Sequence, residues 1–139
     1  MAGRKLCPSA QPSMAGARVI GVVLGTPEHP TISYLEDSIP IDELDVDVDP
    51  TLLTQVFRIA AECEGDACAH FTDDSCTLAE RISRDVPGVV EMLPRCTIRR
   101  ECRWYSERGA AACRRCPQVI TVDRSRPGNA ELATAAQPR

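Results

Sequence analysis

A small α+β domain stapled by metal is the fold this chain predicts. Three observations carry the expectation. Two β-branched runs flank a turn at residues 25–30, cap residues precede a helical apolar spacing at Leu78 and Ile82, and seven of the eight cysteines lie between Cys63 and Cys116. Together they give an N-terminal β-hairpin, two to three short helices and a cysteine-rich C-terminal half.

Size makes a staple necessary. The chain has 139 residues, but residues 1–16 are rich in Pro, Ser, Ala and Gly, and residues 124–139 hold little that is large enough to bury. Both read as flexible tails around a single cysteine-rich, metal-binding domain at residues 17–123. One Trp, two Tyr and two Phe leave the core short of the side chains that dominate burial. Such a domain leans on disulfides, metal or oligomerisation. The compartment selects among these. No run of about 18 apolar residues is available for a membrane span. The apolar run at residues 19–24 is short, contains Gly21 and lacks a small-residue cleavage site. A cytoplasmic, reducing location is therefore expected, and it favours metal over disulfides.

The hairpin pairs residues 17–24 with residues 31–35 through Gly25-Thr-Pro-Glu-His-Pro30. Gly21 and Gly25 serve tight turning or close approach, because no Gly-Lys-Ser/Thr follows to make a phosphate loop. His29, in the turn, reads as surface. Residues 36–49 are acidic. A calcium loop built on Asp45-Val-Asp-Val-Asp49 would need Gly where Pro50 stands and a carboxylate where Val56 stands, so a solvated edge strand or linker is expected.

Asp49 and Pro50 then open a helix with Leu52, Leu53, Val56, Phe57 and Ala60 on one face, which would deliver Cys63 at its C-terminal end. Glu64-Gly-Asp66 breaks it, and Cys68, His70 and Phe71 follow in a loop. Asp73, Asp74 and Ser75 cap a second helix through Cys76, Leu78 and Ile82, resumed after Pro87-Gly88 by Val89, Val90 and Leu93. Cys102, Arg103, Trp104 and Tyr105 form a helical turn that closes before Gly109. Residues 118–122 are β-branched enough to add a strand to the hairpin.

The cysteines carry the chemistry. One candidate ligand group is Cys63, Cys68, His70 and Cys76; the other is Cys96, Cys102, Cys113 and Cys116. Cys7 stands alone in the N-terminal tail and reads as a bystander. Structural zinc favours paired Cys-x2-Cys knuckles, and only Cys113 and Cys116 make one. The other spacings are loose, and the ending Cys116-Pro117 suits an iron–sulfur cluster held by several loops. One or two clusters, of the 4Fe-4S kind, are the favoured reading and zinc the alternative. His70 stands either as a ligand or as a hydrogen-bond partner of the site.

Charge is segregated along the chain. Residues 28–91 hold sixteen acids against three arginines, whereas residues 95–126 hold nine arginines against three acids. Thiolates around a metal carry net negative charge, so Arg99, Arg100, Arg103, Arg114 and Arg115 would offset it and donate to sulfur. Of these, Arg99, Arg103, Arg114 and Arg115 are taken with Trp104 as the cofactor-contacting set; Trp104 would shield one side from water, or would simply be the core's largest residue. The same arginines could form a face for nucleic acid.

The string Cys96-Thr-Ile-Arg-Arg-Glu-Cys-Arg-Trp-Tyr105, with Ala112-Cys-Arg-Arg-Cys-Pro-Gln-Val-Ile-Thr121, resembles a group of small uncharacterised bacterial cysteine-rich proteins. Arg18-Val-Ile-Gly-Val-Val, Tyr34-Leu35 and Cys68-Ala-His-Phe71 fit the same group. The resemblance implies a bacterial, cytoplasmic origin and the unity of the cysteine set. The tight cysteine triplet and Gly-Val-Trp-Gly-Gly turn of the WhiB-like regulators are missing. No nucleotide loop, Ser/His/Asp arrangement or paired carboxylates suggest an enzyme. The expected role is an accessory iron–sulfur protein that carries electrons or senses redox state for a larger partner enzyme. The alternative is a zinc-stapled adaptor that binds nucleic acid or an acidic protein.

Overall fold

The computed structural model describes residues 5–26, 29–45, 47, 52–119 and 121. It is a mixed α+β fold. Strands β1 (Leu6–Cys7), β2 (Arg18–Gly25), β3 (Pro30–Pro40) and β4 (Phe57–Glu62) form one antiparallel sheet in the order β1-β4-β2-β3. A small hairpin of β5 (Phe71–Thr72) and β6 (Ser75–Cys76) stands apart from it. Among the described residues the α-helices are α1 (Leu53–Val56), α2 (Thr77–Asp85), α3 (Arg103–Arg108) and α4 (Ala110–Arg115).

The expected hairpin is β2 with β3, in a register that sets Gly21 against Tyr34 and Val22 against Ser33. Its second strand runs further than expected, because Arg18 and Val19 also pair with Pro40 and Ile39 beyond an irregularity at Gly21. A Cβ on Gly21 would lie 2.6 Å from Ile32 Cγ2 and 2.9 Å from the Ser33 carbonyl oxygen, so close approach of the strands requires glycine there.

The helix expected to lead into Cys63 is mostly a strand. Only α1 is helical; Phe57 onward is β4, and Asp49 and Pro50 lie outside the described residues. The physical reason is burial on both faces. Arg58, Ile59, Ala60 and Ala61 are all buried, as the centre of a covered sheet demands, and β2 and β1 claim the two hydrogen-bonding edges of β4. Tertiary pairing overrides the helical spacing of Val56, Phe57 and Ala60.

Residues 5–16 do not behave as the expected tail. Leu6 and Cys7 pair with Glu62 and Ala61, while Ser9, Ala10, Gln11 and Met14 are buried. The small Ser9 and Ala10 let the backbone lie close beneath the sheet, where the Ala10 amide donates to the Ile59 carbonyl at 2.9 Å. The other expected tail, residues 124–139, lies outside the described residues.

α2 forms where the capping signals place it, with one change. Asp73 and Asp74 adopt positive φ and make the two-residue turn of the β5–β6 hairpin, so Cys76 itself is the N-cap. Leu78, Ala79 and Ile82 are buried along one face of α2. The helix ends at Asp85, before Pro87, and Val89, Val90 and Leu93 do not resume it. α3 closes at Gly109 as expected, with φ 62° there.

The strand expected at residues 118–122 is absent among the described residues; Cys116–Gln118 is a 3-10 turn opened by Pro117. Beyond it, the Val119 carbonyl accepts from Arg58 and the Thr121 hydroxyl meets that of Ser9, so side chains take what a ladder would use.

The sheet separates two cores. Ile20 and Ala60 face Leu78, Ala79, Ile82, Ile98, Trp104, Ala112 and Val119. Val19, Ile59 and Ala61 face Ala10, Met14, Ala17, Cys68 and Phe71. No helix among the described residues is long and apolar enough to cross a membrane.

Candidate functional site

The cysteines line two cavities. In the first, Cys96, Cys102, Cys113 and Cys116 face a small space of about 20 Å³, partly open to solvent, with Ile20, Tyr34, Arg99 and Trp104 among the other walls. Chain geometry explains how four thiols meet there. Cys96 and Cys102 flank the 3-10 turn Arg99–Glu101, while Cys113 lies in α4 and Cys116 follows it at the start of the next turn.

Donors point at sulfur in this first cavity. Arg58 Nη2 reaches Cys116 Sγ at 3.0 Å and the Tyr34 hydroxyl reaches the same sulfur at 3.3 Å. Arg99 near Cys113, the amides of Trp104 and Tyr105 near Cys102 and that of Ile98 near Cys96 each work against the burial that raises those thiols. Guanidinium, hydroxyl and amide hydrogens directed at sulfur are the environment that stabilises thiolate.

The second cavity, about 20 Å³, is lined by Cys7, Cys63, Cys68, His70, Cys76 and Arg103 among others, again with Trp104. Cys63 follows β4, Cys68 follows the turn Gly65–Ala67, and Cys76 caps α2. Arg103 lines this cavity with Cys63, and its Nη1 meets Glu107 Oε2 at 3.3 Å. Glu107 Oε1 in turn accepts from the Cys76 amide at 2.8 Å, so α3 ties both ends of this thiol set together.

Trp104 is the wall common to both spaces. It is fully buried, with the guanidinium carbon of Arg58 5.8 Å from its ring centroid. Arg99 and Arg103 lie where the sequence suggests, against thiols. Arg115 does not; it donates to the Val86 and Ala111 carbonyls and braces α4. Arg114 lines a separate hollow with Gly88 and Val89. His70 lies beside the second cavity, where its Nδ1 accepts from Arg81 Nη2 at 3.0 Å.

Sequence reasoning overlooked Cys7, Arg58 and Tyr34. A signal existed for two of them: eight cysteines divide evenly into two sets of four, and Arg58 is the lone charge in a run of otherwise apolar buried residues. Tyr34 carried no such mark.

Burial raises five of the thiols. It pushes the Cys102 thiol up to about 12, and the neighbouring Cys116 and Cys96 add to the effect. Cys96, Cys113 and Cys76 rise for the same first reason, and Cys7 rises further. Burial works against the Arg58 charge as well, but Cys116, Tyr34 and Cys7 outweigh it and hold the guanidinium protonated. All eight cysteines are free thiols. Among the described residues no three His, Cys, Asp or Glu side chains make a group that would hold a single metal ion.

No protein-family model, curated protein or solved structure matches the chain.

Proposed function

We propose that the protein binds an iron–sulfur cluster and, in the cytoplasm, carries electrons or senses redox state for a larger partner enzyme. One observation carries the reading: four thiols face one partly open cavity, with Arg58 and Tyr34 donating hydrogen bonds to the Cys116 sulfur and Arg99 in the wall. A single ion needs its ligands to converge on one point, whereas a cluster takes each thiolate on a separate iron atom. Four thiols spread around a cavity favour the second. Cys96, Cys102, Cys113 and Cys116 would hold the cluster, which when bound supplies one-electron chemistry.

The chain's own residues supply the rest. Arg58 and Arg99 offset the negative charge of the thiolates, and Trp104 and Ile20 keep water from the inner side. The nucleic-acid alternative is less well supported, because Arg99, Arg103, Arg108 and Arg115 engage carbonyls and carboxylates of the chain itself. Anaerobic purification from iron-replete cells tests the proposal. Brown protein with equal iron and sulfide supports it; colourless protein with stoichiometric zinc overturns it and makes salt-dependent binding to nucleic acid the next measurement.

A further inference from the structure

We propose a second four-thiol metal site, in which Cys7 of the N-terminal strand binds alongside Cys63, Cys68 and Cys76. For the identity of the metal the inference rests on the cluster reading above; for the ligand set it does not. Pairing in the sheet brings Cys7 there. Cys7 stands opposite Ala61, and the Cys63 amide donates to the Lys5 carbonyl at 2.9 Å, so two hydrogen-bonded strands set the first two thiols diagonally across the pair, two positions apart. The 3-10 turn and the α2 N-cap bring the other two to the same cavity.

Three of the four sulfurs meet a backbone amide: Gly65 serves Cys63 at 3.5 Å, His70 serves Cys68 at 3.4 Å and Ala79 serves Cys76 at 3.5 Å. Arg103 lines this cavity as Arg99 lines the other. The two sites are thus alike in ligand number and in a lining arginine, and they share Trp104. Cys7 takes the place that spacing alone suggested for His70, whose ring is held by Arg81 on α2. All eight cysteines are then used, four to a site. Thiolates at the corners of a cluster need not converge on one point, which fits the lack of a single-ion group here.

Metal content of the full chain, loaded anaerobically with iron and sulfide, tests this. The wild type is expected to hold about eight iron atoms per chain, and Cys7→Ser and Cys113→Ser about four each. The double variant is expected to hold none. Should the metal be zinc, about two ions falling to about one in Cys7→Ser sinks the cluster reading and leaves the second site standing. Full loading of Cys7→Ser, or a wild type that saturates at one site, overturns the inference.

If Cys7→Ser fails to fold, alkylation of loaded wild type decides. In urea that unfolds the metal-free chain, Cys7 is expected to resist iodoacetamide together with Cys63, Cys68 and Cys76 until chelator is added. Prompt labelling of Cys7 while those three stay protected overturns the inference.

Discussion

Arg58 in the sheet donates through Nη2 to the Cys116 sulfur, 58 positions away in sequence, at 3.0 Å. Its other nitrogens serve the Pro8, Cys116 and Val119 carbonyls, so one buried side chain joins the N-terminal segment, β4 and the C-terminal turn. Among the described residues no carboxylate pairs with it. A buried charge demands compensation, and the polarisable Cys116 sulfur is what faces it.

Arg58→Met is therefore expected to destabilise the protein by about 3 kcal/mol, because it leaves buried carbonyls unpaired. It should also reduce metal retention at the Cys116 site. Arg58→Lys, with the charge but not the fork, is expected to fall between. Urea midpoints and metal content of the two variants check this; wild-type values in Arg58→Met would refute it.

Tyr34→Phe removes one O–H donor from the Cys116 sulfur and little else. Stability should fall by no more than about 1 kcal/mol. If a cluster sits there, its potential should drop by up to about 40 mV, since the donor favours the more negative, reduced state. Redox titration of the purified holoprotein measures the shift, and a rise instead of a drop would contradict the assignment.

Gly21→Ala forces a methyl against the Ser33 carbonyl and Ile32. A loss of about 1–3 kcal/mol is expected from overpacking, with metal stoichiometry unchanged. Thermal unfolding beside metal analysis tests both parts.

The metal-free protein should weaken in alkali. Burial raises the folded pKa of Cys7, Cys76, Cys96, Cys102 and Cys113, so above the ordinary thiol value of 9.0 the unfolded chain loses protons first. The stabilisation is complete below pH 9.0 and is lost as pH rises toward about 12, the folded value for Cys102. Stability read from urea unfolding of reduced, metal-free protein should fall between pH 9 and pH 11, by roughly 1 kcal/mol or more in total.

Some of this architecture can be read from residues alone. The β2–β3 hairpin and α2 are legible because β-branched runs or helical spacing come with clear punctuation: Gly25 and Pro30 for the hairpin, polar residues before Leu78 and Ile82 for the helix. β4 is not, because a strand covered on both faces loses its alternation, and Val56, Phe57 and Ala60 imitate a helix. Composition misleads at residues 5–16. Ser9 and Ala10 look like linker residues, yet small side chains are what a tightly covered sheet admits, and Cys7 travels with them. The first thiol set is legible as a local cluster between Cys96 and Cys116; the second needs a strand pairing that spacing cannot reveal.

The sole tryptophan, buried between the two thiol-lined spaces, gives the protein an optical gauge of its own occupancy. Indole emission is quenched by absorbing groups close to the ring, so filling either side should dim Trp104 without any added label. Two sites filling at different affinities would write two steps into one fluorescence titration, and the order of those steps could be read by repeating it in Cys7→Ser and Cys113→Ser.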